Sequence, residues 1–189
     1  KNDQWVGGLN IEDELRQDAV TTISALHEEQ FTTILLSGDR REKVAAIGKA
    51  TGIDTVIAEQ SPAQKMEQLD KLQQVAPTAM VGDGINDAPA LAKAAIGISL
   101  SDATKVAMQS ANVILSNNQL SSLPKAIKLG RYTYQTIKQN LFWAFFYNVL
   151  AIPLAAMGYL SPVWAAIVMA FSDVILVLNS LRLNFRKID

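Results

Sequence analysis

The chain has 189 residues, a net charge of −1 and no cysteine. Charges of both signs alternate through its polar part, so it offers no basic face for nucleic acid. The lack of cysteine excludes disulfides, zinc–thiolate clusters and thiolate copper sites within these residues, leaving oxygen, nitrogen or thioether ligands for any metal.

Residues 5–11 read as a strand entering a turn, and residues 12–29 place Leu15, Ala19, Ile23 and Leu26 on one helical face. A strand at 32–36 precedes a helix at 40–49 that ends at Thr51-Gly52, and a strand at 55–58 precedes a helix at 63–75. A strand at 78–81 runs into a turn at Asp83 and a helix at 86–94, followed by strands at 95–99 and 113–115. Strands alternating with helices predict an α/β fold with a doubly wound parallel sheet, in which ligands bind beyond the carboxyl ends of the strands. Asp39 and Asp83 fall at such ends.

The composition then changes. Residues 1–116 read as the soluble α/β domain, 117–131 as a polar connector, 132–160 as one membrane helix, and 161–189 as a second with a polar tail. Residues 141–160 and 163–181 are each nearly apolar and approach the ~20 residues that cross a bilayer. Arg131 and Lys138 precede the first span, Arg182, Arg186 and Lys187 follow the second, and the intervening turn is uncharged. Positive flanks mark the cytoplasmic side, which predicts an integral membrane protein of the plasma or inner membrane whose soluble domain and C-terminus are cytoplasmic. Lys1 follows no initiator Met and no signal-peptide pattern appears, so a segment of a longer protein is expected.

Gly82-Asp83-Gly84-Ile85-Asn86-Asp87 carries the strongest chemical signal. The two glycines allow a sharp turn that gathers Asp83, Asn86 and Asp87, oxygen donors suited to Mg²⁺ with several waters retained. Ser37-Gly38-Asp39 follows a strand, and Lys65 lies near the start of a helix. A hydroxyl to hold a phosphate oxygen, a lysine to neutralise developing charge and carboxylates to hold Mg²⁺ make up a phosphoryl-transfer site. Taken singly, Ser37-Gly38-Asp39 reads as a turn with Asp39 as a helix cap, and Lys65 as a solvated lysine. No strand ends in Asp-Lys-Thr-Gly-Thr, so the chain lacks an aspartate nucleophile of that kind.

The run from Gly82 to Leu91 resembles the hinge motif of P-type ATPases, in the phosphorylation domain of the haloacid dehalogenase fold. Ser37-Gly38-Asp39 is similar to that family's Thr-Gly-Asp, with serine substituted. The resemblance covers nearly the whole chain. It implies that Asp83 and Asp87 hold Mg²⁺ and the phosphorylation loop, that Asn86 orients phosphate, that Ser37 and Asp39 contact phosphate and position the nucleotide domain, and that Lys65 stabilises the phosphoryl oxygens. ATP is the implied phosphoryl donor, and its binding domain and the phosphorylated aspartate belong to the missing N-terminal part of the pump. Asp13 and Arg16 match the family's segment after a strand, although a surface ion pair accounts for both locally.

Polar groups in apolar spans are costly, which marks Asn140, Tyr147, Asn148, Ser172, Asp173 and Asn179, with Met169 as a thioether suited to Cu⁺. Hydrogen bonds between helices and ordinary Met packing are the structural alternative. Asn140, Tyr147-Asn148 and Pro153 in one helix, and Met169, Ser172 and Asn179-Ser180-Leu181-Arg182 in the next, resemble the copper-exporting branch of the heavy-metal P-type ATPases. That resemblance implies a transported-metal site of Tyr147, Asn148, Met169, Ser172 and Asp173, with membrane lipid and the metal as partners. Asp173 departs from the branch, which has a second serine there, and brings a zinc and cadmium exporter into view. The glycine two residues on and an intramembrane lysine in the preceding helix, which accompany that pattern, are absent. A membrane-anchored phosphatase of the same fold and a non-enzymatic regulatory fragment are the alternatives from other classes, and alone the chain is expected to be catalytically silent.

Overall fold

The computed structural model describes residues 14–186, so the strand expected at 5–11 and Asp13 lie outside the described residues. The chain divides into two compact units, Lys1–Leu123 and Pro124–Asp189.

In the first unit the described elements are α1 (Ala19–Glu28), β1 (Ile34–Leu36), α2 (Arg41–Thr51), β2 (Thr55–Ile57), α3 (Pro62–Val75), β3 (Ala79–Gly82), a 3₁₀ turn (Ile85–Asp87), α4 (Ala88–Lys93), β4 (Ile96–Leu100), α5 (Lys105–Ser110) and β5 (Val113–Leu115). All described strand pairs are parallel, as the alternation predicts, and they form two hydrogen-bonded groups. β1 pairs with β2, Ile34 opposite Thr55, while β4 lies between β3 and β5, with Gly82 opposite Ser99 and Leu100 opposite Leu115.

Local chemistry sets the ends of these elements. Gly52 closes α2 at φ 77°, a left-handed conformation that glycine adopts without steric cost. Ser61 and Gln64 form a reciprocal capping box at the start of α3, whose first residue is Pro62. The helix expected from residue 12 is described only from Ala19, because Arg16 and Asp18 are engaged elsewhere. Arg16 donates to Asn118 O at 3.0 Å and pairs with Asp102 at 3.4 Å, and Asp18 Oδ2 accepts from Ser121 N at 3.0 Å. The ion partner of Arg16 is thus remote in sequence.

The core is built on α4. Leu69, Ala90 and Ala94 form one buried cluster and Leu91, Ala103 and Ala107 another, with Met80 of β3 packed against both. Gly97 lets the backbone of Leu91 lie directly on β4, where a methyl group would collide with it. Burial therefore fixes β3 and α4, and with them the turn that joins them.

The second unit is helical. α6 (Ser122–Ala156) is a single 35-residue helix, so the polar connector is itself helical from Ser122, and α7 (Pro162–Leu181) follows a turn in which Gly158 takes φ 78°. Ser161 caps α7, accepting from Trp164 N. Residues Val163–Phe185 are long and apolar enough to cross a membrane, with a mean hydropathy of 1.9 over their most apolar 18 residues. α6 does not meet the same measure, because Gln139, Asn140, Tyr147 and Asn148 fall within its apolar stretch. Both helices nonetheless expose large apolar side chains: Phe142, Phe145 and Val149 on α6, and Trp164, Phe171 and Leu178 on α7.

Candidate functional site

The glycine-rich turn begins at the end of β3. A Cβ on Gly82 would lie 2.9 Å from Asp87 Cβ, so the turn folds back on itself only because residue 82 has no side chain. Asp87 N donates to Gly84 O at 3.1 Å, closing the 3₁₀ turn, and Thr104 N donates to Asp83 O at 3.0 Å, tying the turn to the start of α5. The helix expected from Asn86 therefore starts at Ala88, since residues 85–87 are spent on the turn.

This geometry brings Asp87 to Lys65. Lys65 Nζ lies 2.7 Å from Asp87 Oδ1, and the two side chains are only 13% and 17% exposed. Lys65 stands one turn into α3, where the capping box fixes the direction of the helix. A partly desolvated pair at this distance is a charge-assisted hydrogen bond. Asp83 and Asn86 are exposed, and neither side chain has a hydrogen-bond partner among the described residues.

Ser37, Gly38 and Asp39 stand at the carboxyl end of β1. Ser37 Oγ accepts from Asp39 N at 3.2 Å, Gln60 N donates to Ser37 O at 3.0 Å, and Glu59 N donates to Asp39 O at 3.0 Å. A Cβ on Gly38 would approach Gln60 O at 3.1 Å, so this turn also needs a small residue. The Asp39 carboxylate meets Lys43 one helical turn on, at 3.5 Å. Ser37 and Asp39 thus form a turn held by backbone bonds to the loop after β2, and they share no hydrogen bond with the Lys65–Asp87 pair.

No group of three or more His, Cys, Asp or Glu side chains among the described residues is arranged to hold a metal. Mg²⁺ does not require one, because it keeps several waters and binds through one or two carboxylates. The unpartnered Asp83 carboxylate, in the same turn as Asp87, fits that habit.

The five residues expected around a transported metal are not gathered by α6 and α7 alone. Asn148 donates back to Ala144 O of its own helix at 2.9 Å. Tyr147 and Ser172 are half-buried, whereas Met169 is 70% exposed and Asp173 is also exposed. None of the five hydrogen-bonds another among the described residues.

One cluster escaped sequence reasoning. Asp54 Oδ2, at the start of β2, accepts from Thr33 N at 2.7 Å and Thr33 Oγ1 at 2.9 Å, with His27 Nε2 at 3.0 Å. The Thr33 amide, then its hydroxyl, hold the Asp54 carboxyl below its ordinary 3.8, with His27 adding a smaller pull. His27 is the single histidine of the chain, which was the available signal.

Residues 2–95 match the family model described as haloacid dehalogenase-like hydrolase. A probable copper-importing P-type ATPase A of Enterococcus hirae is 43% identical over 189 residues, 98% of this chain and 26% of the relative. A copper-exporting P-type ATPase of Staphylococcus saprophyticus is 43% identical over 188 residues, 99% of this chain and 24% of the relative. The crystal structure of a zinc-transporting PIB-type ATPase in the E2.Pi state superposes with a TM-score of 0.87 at 37% identity, covering 91% of this chain and 28% of that one. The chain spans about a quarter of the length of the curated relatives it matches, at 26% and 24%. With a haloacid dehalogenase-like domain of parallel strands and this similarity from end to end, the chain belongs to the heavy-metal P-type ATPases.

Proposed function

We propose that the chain is the carboxyl-terminal part of an ATP-driven heavy-metal cation exporter, most specifically for Cu⁺, that couples formation and hydrolysis of an aspartyl phosphate to metal movement. The observation that carries this reading is the Lys65–Asp87 pair at 2.7 Å beneath the glycine turn, in a chain whose next unit holds an apolar helix of membrane-spanning character.

In this reading Lys65 neutralises charge on the transferred phosphoryl group, and its bond to Asp87 holds the ammonium in place before the phosphate arrives. Asp83 and Asp87 would hold Mg²⁺, which supplies charge neutralisation at the phosphoryl oxygens. Asn86, exposed and unpartnered, orients phosphate through its amide, while Ser37 offers its hydroxyl and Asp39 positions the nucleotide domain. The phosphorylated aspartate and the ATP-binding domain would come from the part of the pump outside this chain.

Tyr147, Asn148, Met169, Ser172 and Asp173 form this chain's share of the metal path, and the outward face of Met169 and Asp173 leaves them to meet further helices. A thioether favours Cu⁺. The outward carboxylate of Asp173 favours a second reading, Zn²⁺ or Cd²⁺, because a carboxylate in an apolar helix must be neutralised by metal, proton or partner. The soluble unit and the C-terminus lie in the cytoplasm, by the positive residues that flank the helices.

In the complete transporter, Met169→Leu is expected to abolish Cu⁺-stimulated ATP hydrolysis, and Asp173→Ser to preserve it. Full Cu⁺-stimulated activity in Met169→Leu would refute the ligand assignment, and loss of it in Asp173→Ser with Zn²⁺ stimulation in the parent would favour the zinc reading.

A further inference from the structure

Three polar side chains close on one another between α6 and α7. Asn140 Nδ2 donates to Ser180 Oγ at 2.9 Å, Asn179 Nδ2 donates to Asn140 Oδ1 at 2.8 Å, and Ser180 Oγ donates to Leu176 O at 2.9 Å. Asn140 uses both ends of its amide and Ser180 both roles of its hydroxyl, so the network is closed on itself. Further along, the Arg186 guanidinium lies 4.6 Å from the centre of the Tyr132 ring, in the same antiparallel sense.

Burial along the two helices follows the same pairing. On α6 the half-buried positions include Asn140, Ala144, Tyr147 and Ala151, and on α7 Val168, Ser172, Leu176 and Asn179. Spacings of three and four residues describe one seam on each helix. Starting from the Asn140–Asn179 bond, seven residues forward on α6 reach Tyr147, and seven back on α7 reach Ser172. Both lie about 10 Å from the bond at 1.5 Å per residue. Seven residues fall only about 20° short of two full turns, so both still face the seam. Met169 and Asp173 stand outside it.

The apolar positions of the seam carry little register information, because residues as small as Ala144 and Ala151 offer no shape that fixes one alignment over another. The polar network supplies what they lack: a one-turn slip would break the Asn140–Asn179 and Asn140–Ser180 bonds, leaving two amides without these partners and Ser180 with only its bond to Leu176 O.

We infer that Asn140, Asn179 and Ser180 form a register clasp that holds Tyr147 opposite Ser172, and that they are positioning residues rather than metal ligands. The inference rests on the reading above, in which Tyr147 and Ser172 face the metal path. Its structural core, the register, can be measured with no metal present.

The test is disulfide trapping in the membrane-embedded chain, which has no cysteine of its own. The on-seam pair Ala151→Cys/Val168→Cys is compared with Ala151→Cys/Ala165→Cys, one turn off. With the clasp intact the on-seam pair should cross-link about tenfold faster, and Asn140→Leu should reduce that preference to about twofold or less. The exchange variant Asn140→Ser/Ser180→Asn, which keeps an amide opposite a hydroxyl, should restore it. An undiminished preference in Asn140→Leu, or no restoration by the exchange, overturns the clasp. Because cross-linking proceeds without metal, active transport by Met169→Leu would remove the cargo reading and leave this result standing; a failed cross-link would do the reverse.

Discussion

At Gly82 the absence of one methyl group decides whether Asp87 can turn back toward Lys65. Gly82→Ala would put a Cβ 2.9 Å from Asp87 Cβ, backed by the buried Ala88. In the complete transporter this substitution should lower phosphoenzyme formation by about tenfold to a hundredfold while the circular dichroism of the fold is retained. Wild-type phosphorylation in Gly82→Ala would show that the close approach is dispensable. Lys65→Met tests the pair itself. It leaves a carboxylate that is 17% exposed without its cation, which should cost about 1–3 kcal/mol in urea unfolding, and Asp87→Asn should recover part of that loss in the double variant. The turn that carries Asp83, Asn86 and Asp87 was legible in the sequence because glycines, carboxylates and an amide crowd into six positions. That Lys65 meets Asp87 was not, because the two are 22 residues apart and meet only through the placement of α3 against α4.

Elements were legible where burial and periodicity agree. The strand at 113–115 and the helix ending at Gly52 follow from apolar runs and a glycine stop. α5 was not, since its six residues are too few to show a period and its start depends on Thr104, whose hydroxyl accepts from Ala107 N at 3.3 Å. The start of α1 was misread because Arg16 and Asp18 serve partners near residues 102–121, which local pattern cannot reveal. The ties between α1, β1 and β2 run through Asp54. Since its folded carboxyl titrates below the ordinary 3.8, the ionised form contributes stability above that pH, and the contribution is lost as pH falls through the lowered value. Asp54→Asn should therefore melt at a lower temperature than the parent near pH 7, and the difference should vanish as pH drops below 3.8, followed by circular dichroism. A difference that persists unchanged into strong acid would contradict this.

For the whole molecule, the division into Lys1–Leu123 and Pro124–Asp189 separates a unit with a buried α/β core from one that presents Phe142, Phe145, Trp164 and Phe171 outward. Large apolar side chains exposed along two helices are stable against lipid and costly against water. α6 runs without a break from Ser122 to Ala156. The central claim is that phosphoryl transfer at the Asp83 turn drives a metal past Met169. The most direct test is ATP-dependent accumulation of Cu⁺ in inverted membrane vesicles containing the complete protein, with Asp87→Ala and Met169→Leu alongside. The account predicts accumulation with the parent, none with either variant, and a phosphoenzyme retained in Met169→Leu. Phosphate release by the parent with no ATP-dependent movement of Cu⁺ or Zn²⁺ would contradict it and leave a membrane-anchored phosphatase in its place.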